Sequence, residues 1–202
     1  LMQSFVVMFK FRFIAYTIGA VIMFSSFDVQ KCADSLKAAY DAKDYDAYVD
    51  AFPDKYEDFV KVYGYDLKRG EKTILYDCSY EHIAFFFSSE RVVAQKVLDK
   101  LLSLSYGFIW DADAVNYVIT RTEQILLDYP QRMTGYFAGK TDDEVISFLQ
   151  MALTCLDSDN DYYLEGCRNL VETYTPFSNR IVRLLKIAQE KAKEASEVLV
   201  IY

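Results

Sequence analysis

Glu81 and His82 stand side by side in the segment from Ser79 to Phe87, and His82 is the single histidine of the chain. An imidazole beside a carboxylate has the makings of a general base or of one metal ligand. No second histidine exists, and no cysteine or aspartate stands at ligand spacing beside it. The commoner meaning of such a residue is a partly buried histidine hydrogen-bonded near a helix end. Asp111 and Asp113 form a second pair, set among Trp110, Tyr106 and Phe108. Paired carboxylates beside aromatic rings have the composition of a sugar-hydrolase site, where one acid protonates the leaving oxygen. Acids in a first helical turn also complement the helix dipole, which is their more ordinary role. Glu81, His82, Asp111 and Asp113 are thus the candidates for a carboxylate-dependent hydrolase.

Two further constellations call for chemistry and fall short of it. Asp157, Asp159 and Asp161 begin like a calcium-binding loop, with oxygens at its first, third and fifth positions. Such a loop needs glycine at its sixth position and a bidentate glutamate at its twelfth, where this chain has Tyr162 and Arg168. No calcium site is expected there. Cys32, Cys78, Cys155 and Cys167 include no Cys-x-x-Cys pair, so zinc-ribbon and thioredoxin readings fail. Cys155 and Cys167 flank the acidic turn between two helices and form the disulfide candidate in an oxidising compartment; buried reduced thiols are the alternative. There is no nucleophile elbow, phosphate-binding glycine loop or dinucleotide fingerprint. No catalytic residue, metal or cofactor is assigned.

The elements that must carry these residues read as helices. Apolar positions recur at spacings of three and four over 28–41, 54–63, 79–86, 89–107, 111–129, 141–156 and 161–174, and again after Pro176, and Asp44 to Phe52 reads as a short second helix ending at Pro53. Asp54 with Glu57 and Thr141 with Glu144 have the form of capping boxes, Ser79 reads as a cap, and Gly64 reads as a stop. The segment 65–77 holds Gly70 and a cluster of charges and reads as the longest loop, without a strand. The fold class is all-α, with about nine helices in antiparallel hairpins, as an irregular bundle or a short α-solenoid. No strict repeat supports tetratricopeptide units. A single helical domain over 28–202 is expected.

Lys10 and Arg12 precede a 15-residue uncharged run, Phe13 to Phe27. A basic entry to an apolar run is the pattern of a secretory signal, and the run is shorter than the ~20 residues a spanning helix needs. Residues 1–27 are therefore read as a signal peptide or N-terminal anchor, and the membrane is engaged only through them if they are retained. The composition, 52% hydrophobic with 7 Gly and 3 Pro, excludes a disordered chain. The net charge of −8 makes a nucleic-acid partner a poor fit.

Phe52-Pro53, Phe59-Val60 and Tyr63-Gly64-Tyr65-Asp66 are followed by Leu75-Tyr76, Ser79, His82-Ile83 and Phe86-Phe87, then by Trp110 to Asn116. This series resembles a group of small exported hypothetical proteins of gut Bacteroidota, over about residues 35–155. The resemblance implies a helical fold and an envelope setting, and no activity or site. The chain after Cys155 departs from that pattern. With abundant Tyr and Phe and no catalytic motif, the expected function is binding of a protein partner in the periplasm or cell envelope, as an adaptor or an immunity-type protein. Intact-mass measurement of the protein from its native host should show loss of roughly the first 25 residues; recovery of the full-length chain from the cytoplasm would contradict export.

Overall fold

The computed structural model describes residues 27–66, 69–88, 90–109, 114–154 and 161–199. The first helix, α1 (Val29–Asp41), starts where Asp28 accepts a hydrogen bond from the Lys31 amide at 3.0 Å. It buries Ala33, Leu36 and Ala39, one face of the stripe read from the sequence. α1 ends in a tight Schellman turn: the Asp44 amide donates to the Ala39 carbonyl at 2.9 Å and the Lys43 amide to that of Tyr40 at 3.1 Å. Lys43 takes the left-handed conformation this turn demands, with φ 55°, at a position glycine usually fills. Asp44 then caps α2 (Tyr45–Ala51) by accepting from the Ala47 amide.

α3 (Tyr56–Tyr63) corrects the capping box expected at Asp54 and Glu57. Lys55 occupies the N-cap and makes no side-chain cap bond. The Asp54 carboxylate instead reaches Lys100 Nζ at 2.7 Å, because the buried ammonium of Lys100 needs a counter-charge. After Gly64 the chain forms a small antiparallel hairpin, β1 (Tyr65–Asp66) and β2 (Glu71–Lys72), with Tyr65 opposite Lys72 and Asp66 opposite Glu71. The loop expected without strands thus contains this short ladder. Its turn uses Gly70 at φ 69°, and Thr73 straps it to α3 with its Oγ1 2.9 and 2.7 Å from the Val62 and Gly64 carbonyls, between which its one hydroxyl hydrogen is shared.

A 3-10 turn over Tyr76–Cys78 leads into α4 (Ser79–Phe86). Ser79 is the first helical residue; the N-cap is Cys78, which makes no side-chain cap bond. A second 3-10 turn, Glu90–Val93, precedes α5 (Gln95–Ser105). Then follow α6 (Ala114–Asp128), α7 (Pro130–Ala138), α8 (Asp142–Leu153), α9 (Asp161–Tyr174) and α10 (Asn179–Leu199). Thr141 and Glu144 make the expected reciprocal capping box at the start of α8. α7 is the helix the sequence reading missed. Pro130, directly after the 111–129 stripe, serves as its opening residue, where its missing N–H costs nothing. Met133, Tyr136 and Phe137 form its buried face.

The described residues thus contain ten α-helices and one two-stranded ladder, an all-α architecture. Their buried side chains form one continuous cluster. α8 packs against α5, α6 and α10, elements well separated along the chain. In a solenoid each repeat touches only its neighbours, so the arrangement is an irregular bundle. Arg180 of α10 locks the turn between α7 and α8: Nη1 and Nη2 donate to the Phe137 and Lys140 carbonyls at 2.9 and 2.8 Å, and Nε to Asp142 at 2.8 Å. No helix among the described residues is long and apolar enough to cross a membrane.

Gly64 gives a direct test of the junction between α3 and the hairpin. A Cβ there would lie 2.6 Å from the Val60 carbonyl oxygen and 2.8 Å from Val60 Cγ1. Gly64→Ala must move backbone, so it should lower stability by about 1–3 kcal/mol, read as an earlier midpoint in urea denaturation.

Candidate functional site

His82 is 3% exposed, and Tyr48 and Tyr63 are fully buried beside it. Three helices bring these residues together: Tyr48 from α2, Tyr63 from α3 and His82 from α4. Their hydrogens form a closed ring. Tyr48 Oη donates to the His82 carbonyl at 2.9 Å, which uses its one hydrogen. The 2.9 Å contact between the two phenols must then be donated by Tyr63. Tyr63 Oη is left as an acceptor toward His82 Nδ1 at 3.3 Å, so the network assigns the hydrogen to Nδ1. His82 Nε2 carries the free lone pair, and no group among the described residues hydrogen-bonds it.

Aromatic rings close the remaining sides. Tyr40 of α1 stacks on the imidazole with centroids 4.6 Å apart and planes 20° from parallel. Lys43 holds its Nζ 3.9 Å from the Tyr40 ring centroid, a cation–π contact. Burial holds the His82 pKa below its ordinary 6.5; Asp41 and Glu81 work against that shift, and Lys37 and Lys43 reinforce it. Burial likewise raises the Tyr48 and Tyr63 phenols, so both stay neutral donors. Tyr45 extends the set by donating to the Phe86 carbonyl at 2.8 Å, and burial pushes its pKa to about 12.

A second feature shares α3 with this cluster. The β1–β2 hairpin, α3 and the start of α1 enclose an open groove of about 600 Å³. Val29, Val60 and Ile74 supply its apolar surface, and Tyr65 borders it. Ile74 and Tyr65 are exposed at 42% and 38%, and they differ from the other exposed large apolar side chains of the described residues in lining this groove together. Around the rim, Lys61 pairs with Asp58 at 2.8 Å, Arg69 with Asp66 at 3.7 Å, and Lys72 with Asp77. The rim is therefore charged but locally balanced over an apolar floor. Smaller clefts are more polar. One of about 220 Å³ between α6 and α9 holds Glu123, which burial pushes up in pKa, against the bare backbone of Gly166.

The residues singled out from the sequence fall apart in space. Glu81 is exposed on α4 while His82 points inward, so they do not act as a pair. Asp111 and Asp113 lie outside the described residues, as do residues 1–26 and the acidic turn at Asp157 and Asp159. Cys167 is a buried thiol on α9, raised in pKa by burial against a hydrogen bond with Tyr163; Cys155 lies outside the described residues. Among the described residues no group of His, Cys, Asp and Glu is placed to hold a metal ion. Sequence reasoning missed both the tyrosine–histidine ring and the groove. The cluster of charges around Gly70 was the available signal for the groove, whereas nothing local marks positions 48, 63 and 82 as neighbours. No protein-family model, curated protein or solved structure matches this chain.

The ring makes a quantitative demand. Tyr63→Phe leaves the Nδ1 hydrogen without an acceptor and should cost about 1–3 kcal/mol. Adding Tyr48→Phe should cost less than the sum of the two single changes, because both belong to one network. Urea denaturation of the three variants measures this; strictly additive losses would mean the phenols act independently.

Proposed function

We propose that this chain is an exported, macromolecule-binding protein of the bacterial envelope, of the adaptor or immunity type, and that it binds its partner through the hairpin groove. The observation that carries this reading is the groove itself: Ile74 and Tyr65 are held exposed over Val29 and Val60 by a hairpin strapped to α3. Exposed apolar side chains on a rigid support are what a partner's anchor residues seek.

The fitting occupant is an extended segment of a partner protein. The sheet has two strands, so each leaves an outer edge of backbone groups to which a further strand can add. Apolar side chains of that segment face Ile74 and Val60, and flanking charges of either sign meet the balanced rim of Lys61, Lys72, Asp66 and Glu71. The resemblance to small exported proteins and the basic, then apolar, start of the sequence support the envelope setting.

A photo-crosslinking amino acid at position 74, expressed in the native host, tests the assignment. It should trap one partner protein, whereas the same group at position 177, another exposed apolar site far along the chain, should trap none. Tyr65→Asp should abolish the adduct. Equal trapping at both positions, or trapping that survives Tyr65→Asp, would refute the groove as the binding face.

A further inference from the structure

We propose that a trough running along α5, from Gln95 to Tyr106, binds an uncharged, β-linked oligosaccharide, one sugar ring of which lies on Tyr106. The trough shares no lining residue with the hairpin groove and meets α3 at its opposite end. It therefore stands or falls separately from the binding face assigned above.

Two open clefts, of about 490 and 480 Å³, both border on Asp54 and Ser103 and so adjoin. Gln95, Lys96, Asp99, Lys100 and Ser103 line them from one face of α5, which at 1.5 Å per residue spans about 12 Å. Tyr106 and Gly107 continue the trough past the end of the helix, where α3 contributes Tyr56 and Glu57. The shape is long and straight, and it asks for an extended occupant.

The lining sets the chemistry of that occupant. Lys55, Lys96 and Lys100 stand against Asp54, Glu57 and Asp99, so the trough carries no net charge. Most of these charges are also spent on one another or on close neighbours. Lys100 meets Asp54 at 2.7 Å, Lys96 pairs with Asp50 of α2, and Lys140, in the turn after α7, meets Asp99 at 2.9 Å. An ionic ligand would have to displace these pairs, and an apolar one finds no aliphatic residue among the described lining residues. Hydrogen-bonding groups and two phenol rings remain. A sugar chain matches both, with hydroxyls at its edges and C–H bonds on its ring faces.

The groups are held ready for it. Asp99 accepts from Gln95 Nε2 at 3.0 Å and from Tyr136 Oη and Lys140 Nζ at 2.9 Å, which fixes both its carboxylate and the Gln95 amide. The Gln95 side-chain carbonyl, the Ser103 hydroxyl and the Glu57 carboxylate make no hydrogen bond among the described residues and are open to sugar hydroxyls. Tyr106 is 50% exposed, and no other ring among the described residues stacks on it. Its backbone is clamped all the same: Tyr56 Oη donates to the Ile109 carbonyl at 2.8 Å, and Phe108 packs on the Tyr56 ring with centroids 4.9 Å apart. A β-linked chain of glucose type keeps its hydroxyls equatorial and runs as a flat ribbon, so it can follow a straight helix. An α-linked chain coils away from one.

Titration calorimetry with cellotriose and with tri-N-acetylchitotriose tests the assignment. At least one should bind with a Kd of about 1 mM or tighter. Tyr106→Ala should weaken that binding about tenfold, whereas Tyr80→Ala, which removes another exposed tyrosine, should leave it unchanged. The affinity should be the same in about 0.05 M and about 0.5 M NaCl, because the ligand is neutral. No binding of either sugar at about 10 mM, binding that Tyr106→Ala does not weaken, or affinity that falls with salt overturns the proposal. Maltotriose, which is α-linked, should bind more weakly than the better of the two; tighter binding overturns the β-linked assignment. Should Tyr106→Ala not fold, amide shifts of the unaltered chain decide. Sugar should move the signals of Glu57 and Ser103 and leave those of Tyr65 and Lys72 in place, and the reverse pattern overturns the site.

Discussion

Two phenols and an imidazole are buried in the apolar space between α1, α2, α3 and α4, and each is retained there because its hydrogen has one place to go. An unpaired polar group at such depth costs as much as several well-made contacts return. The directions are therefore not interchangeable. Tyr48 must face the His82 carbonyl, Tyr63 must face Tyr48, and the imidazole must present Nδ1. Satisfying all three fixes how α2, α3 and α4 sit against one another, and the stacked ring of Tyr40 fixes α1 on top of them.

That arrangement determines where the rest of the first half goes. With α3 in place, Gly64 lets the chain turn hard against Val60, and Thr73 returns to bond the carbonyls at the end of α3. The hairpin is too short to be stable in isolation, since a two-stranded ladder of two residues each buries almost nothing. It is held by α3, and so Ile74 and Tyr65 remain displayed instead of collapsing onto the surface. The buried Lys100 performs a similar service at the other end of α3. Its ammonium donates to the Phe52 carbonyl and meets Asp54, tying the start of that helix to α5.

The second half is organised by apolar packing around α8, whose Val145, Phe148 and Leu149 are fully buried. Polar contacts there close helix ends more than they define the core. Arg180 donates to the Phe137 carbonyl at the end of α7 and to the Lys140 carbonyl in the turn beyond it, and it pairs with Asp142 at the start of α8, one planar side chain serving two helices. The two halves thus differ in kind: one has a polar ring at its centre and the other an apolar helix.

Local signals in the sequence determined the helices. Asp28, Asp44 and the Thr141–Glu144 box cap the helices they precede, and the stripes of α1, α6 and α8 face the core, because capping and periodicity involve residues within one or two turns. Where a local signal had a competing long-range partner, tertiary structure decided. Asp54 left its expected box for Lys100, 46 positions away in the chain. Pro130 opened a helix because Met133 and Phe137 had a core to fill. The ring of Tyr48, Tyr63 and His82 and the hairpin groove belong wholly to this second category. Burial chooses partners by proximity in space, and the hydrogen-bond directions that assign the imidazole tautomer exist only once three helices have met.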